Sequence, residues 1–335
     1  MSTDAAPPHL VDRLLRAIGR VEPRIRAVTE LSRLTGGASQ ETWKLRVAGV
    51  ERLDEVLILR RVPNDVMIVD QIGPEAEAAA IRRATAADVP VPHIRLELTP
   101  ADELGRGFIS DFVAGETLPQ KIQRDPAFAP ARSRFARQCG EILARIHAVP
   151  TDGLDLLPTL SAASQVDNLR RVYAGRNRPN PVWELGFAWL EARIDRIAQR
   201  RVLVHGDFRM GNLMIAPDGI AAVLDWELAH IGDPVEDLGY LTVNSWRFGA
   251  IDLPVGGVGV LDDLLDAYHA AGGVAVTRDE VHFWRALGTM KWGILSGELA
   301  RAIGFSAVTL ERAVIGRRST ESELDLLDII EGIEP

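Results

Sequence analysis

Three residues in one short stretch could do chemistry together: Asp207, Asn212 and Asp225. Asp207 stands in His205-Gly206-Asp207, a polar break directly after the apolar run Val202-Leu203-Val204. Asn212 follows five residues later, and Asp225 comes thirteen after that, ending a second apolar run, Ile220 to Leu224. Phosphoryl transfer asks for this set. One carboxylate orients an attacking hydroxyl and takes its proton, while an amide oxygen and a second carboxylate hold the Mg²⁺ that bridges nucleotide phosphates. Mg²⁺ is hard and selects oxygen donors, so Asn212 and Asp225 suit it and His205 need not serve. The turn Pro217-Asp218-Gly219 reads as joining the two apolar strands in a hairpin. Its far end would return Asp225 to the mouth that holds Asp207 and Asn212.

The flanking elements must position these groups. Upstream, PHLVDRLLRAIGRV (8–21) has an amphipathic helical stripe of Leu10, Leu14, Ile18 and Val21. Strand-like segments follow at Ile25 to Leu34, Glu41 to Val47 and Glu55 to Arg61. Between the first two lies Thr35-Gly36-Gly37-Ala38-Ser39-Gln40, where paired glycines let backbone N–H groups approach phosphate and the Ser39 hydroxyl adds a donor. Residues 74–87 open with proline and are alanine-rich, so they form a helix carrying Glu75 and Glu77 in its first turn. Val89-Pro90-Val91-Pro92 is extended and leads to strands His93 to Leu98 and Gly107 to Val113.

Beyond residue 113 the pattern turns helical: 132–149, 164–174, 183–199, 261–272, 279–303 and 321–331, the last with Leu324, Leu327 and Ile330 facing inward. Gly232-Asp233-Pro234 starts a further helix, with Asp233 as its cap. The aromatic residues Trp183, Phe187 and Trp189 read as core.

HGDFRMGNLM, then VLDWE, then GDPVEDL follow the H-x-D-x-x-x-x-N grammar of kinase catalytic loops, with Trp226-Glu227 where Phe-Gly usually stands. The three elements together resemble the aminoglycoside phosphotransferase and choline kinase-like branch of the kinase superfamily. The closer resemblance is to the phosphotransferase domains fused to, or encoded beside, acyl-CoA dehydrogenases. It implies an α+β, bilobal protein kinase-like fold, with a small antiparallel-sheet N-terminal lobe, one main helix, and a larger, mainly helical C-terminal lobe. The N-terminal lobe, 1–113, would hold the glycine loop and a five-stranded sheet, with a hinge at about 110–116. The C-terminal lobe, 114–335, would hold the catalytic loop 205–212 and Asp225.

The same resemblance assigns further roles. Arg60 on its V-L-R-R type strand would grip nucleotide phosphates, on the strand face opposite Arg61, although arginine is not equivalent to the kinase lysine. Glu77 would pair with Arg60, with Glu75 as the alternative. The Asp111 carbonyl and Val113 amide would read adenine. His205 would anchor the loop to nearby backbone, and Asp237 would brace it. Glu298 and Arg301 could reach the acceptor site, though solvated helix charges explain them equally well.

Composition bounds the rest. The 335 residues are 47% apolar and 25% charged, ordinary for a globular chain large enough for two lobes. The net charge of −9 argues against sequence-independent nucleic-acid binding. The single cysteine, Cys139, excludes an intrachain disulfide and reads as buried filler. MSTDAAPPHL has no basic head or apolar core, and no apolar run reaches membrane-spanning length. The expectation is a cytoplasmic protein acting on a small molecule, without nucleic-acid or membrane partners; a homodimer is left open.

The function expected is ATP- and Mg²⁺-dependent phosphorylation of a small-molecule hydroxyl, with a hydroxyacyl-CoA or related catabolic intermediate as first choice. An aminoglycoside or other antibiotic is the alternative acceptor, and a non-catalytic nucleotide-binding pseudokinase the alternative of another class. Protein kinase activity is disfavoured, because only seven residues separate Asp225 from Asp233 and no A-P-E follows.

Overall fold

The computed structural model describes residues 9–34, 40–63, 72–175, 179–301, 314, 316 and 318–333, with the backbone alone for 298–301. The chain divides into two compact units. One comprises Met1–Ala114, Asp152–Leu157 and Ala221–Ala229; the other comprises Gly115–Thr151, Pro158–Ile220 and His230–Pro335. The segment carrying Asp225 is thus grouped with the first unit.

The first unit is built on one antiparallel sheet, from β1 (Ile25–Leu34), β2 (Glu41–Gly49), β3 (Asp54–Val62), β4 (Ile94–Glu97) and β5 (Arg106–Asp111), in the order β1-β2-β3-β5-β4. Period-two alternation turns Trp43, Leu45 and Val47 of β2, with Leu57 and Leu59 of β3, to one face. There they bury against Leu10, Leu14, Ala17 and Ile18 of α1 (Leu10–Gly19). Val21, which the stripe places on the same side, is 49% exposed, because the helix has already ended. Helix α2 (Pro74–Ala86) lies against β4 and β5 through an alanine-rich face that also buries Glu77.

The second unit is mainly helical: α3 (Pro119–Arg124), α4 (Ala129–His147), α5 (Ala162–Ala174), α6 (Pro181–Glu191), α7 (Val235–Leu241), α8 (Leu261–Ala270), α9 (Arg278–Arg301) and α10 (Ser319–Glu331). Cys139 of α4 is fully buried, and burial pushes its thiol pKa well up. Helix α7 sits very close to α9 at Gly239. A Cβ there would come 2.6 Å from the Trp284 Cβ and 2.8 Å from the Arg285 backbone nitrogen. Among the described residues, no helix is long and apolar enough to cross a membrane.

Three expectations are corrected. The strand β6 (Val202–Val204) does not form the hairpin; it pairs with β9 (His230–Gly232). The hairpin strands are β7 (Leu213–Ala216) and β8 (Gly219–Val223), because the apolar run that adjoins the Pro217-Asp218 turn is the one after Asn212. Helix α6 stops at Glu191, short of Gln199. There Arg193 folds back over Trp189, 4.0 Å from its ring, and donates to the Trp189 carbonyl at 3.2 Å. Helix α10 turns Ser322, Leu326 and Ile329 inward and leaves Leu324 66% exposed. Its phase follows a close approach to α9, where a Cβ on Gly293 would come 2.7 Å from the Ser322 Cβ, a contact that only small residues permit.

Candidate active site

In the first unit the candidate residues gather around one guanidinium. Arg60 leaves the central strand β3 on the face opposite Leu57 and Leu59. Its Nε lies 3.2 Å from Glu77 Oε1 and donates to Gln40 Oε1 at 3.0 Å. Its Nη2 donates to Asp225 Oδ1 at 2.7 Å and to Glu227 Oε2 at 3.2 Å. Arg61 points the other way and pairs with Glu41 at 2.7 Å. Glu75, the alternative partner, is exposed and binds Arg106 at 2.6 Å. Glu77 is 1% exposed and also takes a bond from the Gln40 amide at 3.4 Å.

The electrostatics of this cluster follow from its burial. Burial works against the charge on Arg60, but Glu77, Asp225 and Glu227 overcome it and hold its pKa above the ordinary value. Burial likewise raises the pKa of Glu77, against the pull of Arg60, and the negative Asp225 raises it further. Asp225 itself has a left-handed backbone, φ 64°. Such a conformation is uncommon outside glycine, although aspartate tolerates it better than most residues.

In the second unit the loop after β6 is folded back on Asp237, the third residue of α7. Asp237 is fully buried, and its two oxygens accept the backbone N–H groups of His205 and Gly206, each at 2.9 Å. Gly206 has φ 80°, a conformation glycine adopts at no steric cost. His147 Nε2 lies 3.2 Å from Asp237 Oδ2, and its Nδ1 lies 2.9 Å from the Tyr268 hydroxyl. Burial alone would raise the Asp237 pKa, but His147 and the loop amides bring it below the ordinary carboxylate value. His205, fully buried, receives the Asp207 N–H on Nδ1 at 3.2 Å, which occupies that nitrogen and fixes the loop. Asp233 accepts the Val235 N–H at 2.9 Å from one residue ahead of Pro234, which takes the cap position of α7 in place of the expected Asp233.

The Asp207 carboxylate is held from two sides. Asn212 Nδ2 donates to Oδ2 at 2.5 Å and to the Asp207 carbonyl at 3.0 Å, while Arg209 Nε donates to Oδ1 at 2.9 Å. The Tyr240 hydroxyl also bonds Asp207; burial first, then this negative neighbour, raises its pKa well above the ordinary value. Because Asn212 donates through its nitrogen, its oxygen is left as the donor for a cation. Asp225, in the first unit, carries a second hard oxygen; amide and carboxylate oxygens are donor types that Mg²⁺ accepts. Among the described residues there is no cluster of three or more His, Cys, Asp or Glu side chains arranged for a metal. The expected pair, one amide and one carboxylate, is smaller than that.

Gly36, Gly37 and Ser39 lie outside the described residues, as do the side chains of Glu298 and Arg301. Asp111 ends β5, and Val113 lies two residues beyond it. Sequence reasoning missed Gln40, Arg209, Glu227 and Tyr240. Arg209 and Glu227 each stand two residues from a singled-out aspartate, a signal that was available; Gln40 and Tyr240 carried none.

Residues 30–284 match the model of the phosphotransferase enzyme family. The chain is 28% identical over 254 residues to acyl-CoA dehydrogenase family member 10 of Mus musculus, covering 71% of this chain and 22% of that relative. It therefore spans about a fifth of the length of that curated protein. Among solved structures, a Ralstonia eutropha protein classed with the aminoglycoside phosphotransferases superposes with a TM-score of 0.71 at 20% identity, covering 96% of this chain and 98% of that one. An aminoglycoside phosphotransferase in ternary complex with AMP-PNP and hygromycin B gives 0.60 at 14% identity, covering 95% and 98%. The antiparallel sheet of the first unit and the helical second unit are the fold of these kinase-like enzymes.

Proposed function

Because the chain belongs to the phosphotransferase enzyme family, we propose that it moves the terminal phosphoryl group of ATP, with Mg²⁺, onto a hydroxyl of a small molecule. The observation that carries this reading is the Asp207 carboxylate, pinned by Asn212 at 2.5 Å and Arg209 at 2.9 Å in a loop braced by Asp237. Asp207 orients the acceptor hydroxyl and takes its proton. A carboxylate has about four acceptor sites, so after the bonds from Asn212, Arg209 and Tyr240 one remains for the incoming hydroxyl.

Arg60 keeps its charge and presents a planar fork, which suits it to phosphate oxygens. Glu77 and Gln40 hold that fork in place. Asn212 and Asp225 are the residues that would hold Mg²⁺, which when bound neutralises phosphate charge. Gly36, Gly37 and Ser39 are assigned to the phosphates, and the Asp111 carbonyl and Val113 amide to adenine. AMP-PNP in a relative of this fold supports ATP as donor. Catalysis of this kind is mostly positioning and charge stabilisation.

For the acceptor we favour a hydroxylated acyl thioester or a related catabolic intermediate. The support is the similarity to a protein named for acyl-CoA dehydrogenase. Asp207→Asn should lower turnover by about 10²–10⁴-fold, the usual worth of a positioned acid–base group, with nucleotide affinity retained. ADP release and calorimetric titration with ATP·Mg²⁺ measure the two; equal turnover in the variant would sink the assignment. A panel of hydroxylated thioesters and antibiotics, scored by the same assay, decides the acceptor.

A further inference from the structure

We propose that Arg209 is a positioning residue for Asp207, held in its working plane by the face of Trp246. The inference rests on the assignment of Asp207 as the residue that orients the acceptor. Arg209 Nε reaches Asp207 Oδ1 at 2.9 Å. Its guanidinium carbon lies 4.5 Å from the centre of the Trp246 ring. Trp246 is 2% exposed and cannot swing aside: the Trp292 ring centre is 4.8 Å away and that of Tyr240 is 5.5 Å away. Arginine stacked on an aromatic face keeps its fork flat, and a flat fork fixes the carboxylate it holds.

The loop makes room for this side chain. Gly211 has φ 107°, and a Cβ there would stand 2.9 Å from Arg209 Nη1. That same Nη1 donates to the Met210 carbonyl at 3.4 Å. Asn212 takes the second oxygen of Asp207. Arginine and asparagine therefore leave the carboxylate no free rotation about its last bond. A lone surface ion pair would do little of this, since an exposed arginine samples many rotamers. Here the pair is 23% and 13% exposed, and the aromatic stack removes the slack.

Orientation of the acceptor carries most of the work where the transferred phosphoryl is loosely bonded in the transition state. The distinguishing consequence is a loss in turnover without a loss in nucleotide binding.

The test uses the full chain with ATP and Mg²⁺, with water as the acceptor. Arg209→Ala should lower kcat for ADP release by about 10–100-fold, the scale expected for a misplaced reacting group, with KM for ATP within about twofold. Arg209→Lys keeps the charge but not the plane and should stay below wild type. Trp246→Leu should move kcat in the same direction by less. Unchanged kcat in Arg209→Ala, full recovery in Arg209→Lys, or a fall in kcat matched by a rise in KM would each overturn the proposal.

A second measurement needs no activity. The Arg209 Nε–H resonance, assigned as the one absent from Arg209→Lys, should shift in Asp207→Asn. No shift means no clamp. Wild-type protein that releases no ADP with water or with any hydroxyl of the acceptor panel would strike the phosphotransfer reading itself, and the resonance would then decide the clamp alone.

Discussion

Asp237 carries no reacting group, yet the loop with Asp207 hangs from it. Replacing it with asparagine turns one of its two acceptor oxygens into a donor facing a backbone N–H, so Asp237→Asn should cost about 2–3 kcal/mol. Its pKa lies below the ordinary value of 3.8, so the unfolded chain takes up the proton first as pH falls. Its stabilising contribution is therefore complete above about pH 4 and is lost as pH drops through the depressed folded value. Thermal unfolding between pH 2.5 and 7 should show a shallower acid arm in Asp237→Asn than in wild type. Glu77→Ala should cost about 3 kcal/mol, because it leaves a half-buried arginine short of its fully buried partner. Asp225 and Glu227 remain to limit the damage, and urea unfolding reads it directly.

At the scale of elements, α7 works because glycine lets it approach α9. Gly239→Ala would drive a methyl into the backbone of Arg285 and the Cβ of Trp284, neither of which can turn away. Overpacking of this kind costs about 1–3 kcal/mol. Since α7 also carries Asp237 and Tyr240, turnover should fall further than the melting temperature alone explains; parallel melting and ADP-release curves check this. The elements most legible in the sequence were those with a strong period or a marked composition: the β1–β3 strands, α2, α4 and α9 fall within a few residues of their expected bounds. The candidate loop was the easiest stretch to single out because its polar groups are compressed into eight residues, His205 to Asn212. Partners far apart in the chain were not legible. Arg60 and Glu227 are 167 residues apart, and nothing local in either segment announces the other. The hairpin was misassigned because Val202-Leu203-Val204 and Leu213-Met214-Ile215 read alike as apolar runs, and only pairing separates them.

For the molecule as a whole, the boundary between units does not follow the order of the chain. The first unit owns Ala221–Ala229, and with it the Asp225 and Glu227 carboxylates that hold Arg60. A fragment ending at Ala114 keeps Arg60 and Glu77 but loses both of those carboxylates. It should unfold at lower urea than the first unit within the intact chain, which hydrogen exchange on β3 amides would report. Adding the 221–229 peptide in excess should recover part of the protection.

The left-handed backbone at Asp225 has a price that only its carboxylate justifies. Glycine would relax that φ of 64° while discarding the acid. Asp225→Gly should therefore melt above Asp225→Ala, both being inert in ADP release. Among replacements that discard the acid and its bond to Arg60, glycine is therefore the one that keeps most of the chain's resistance to heat.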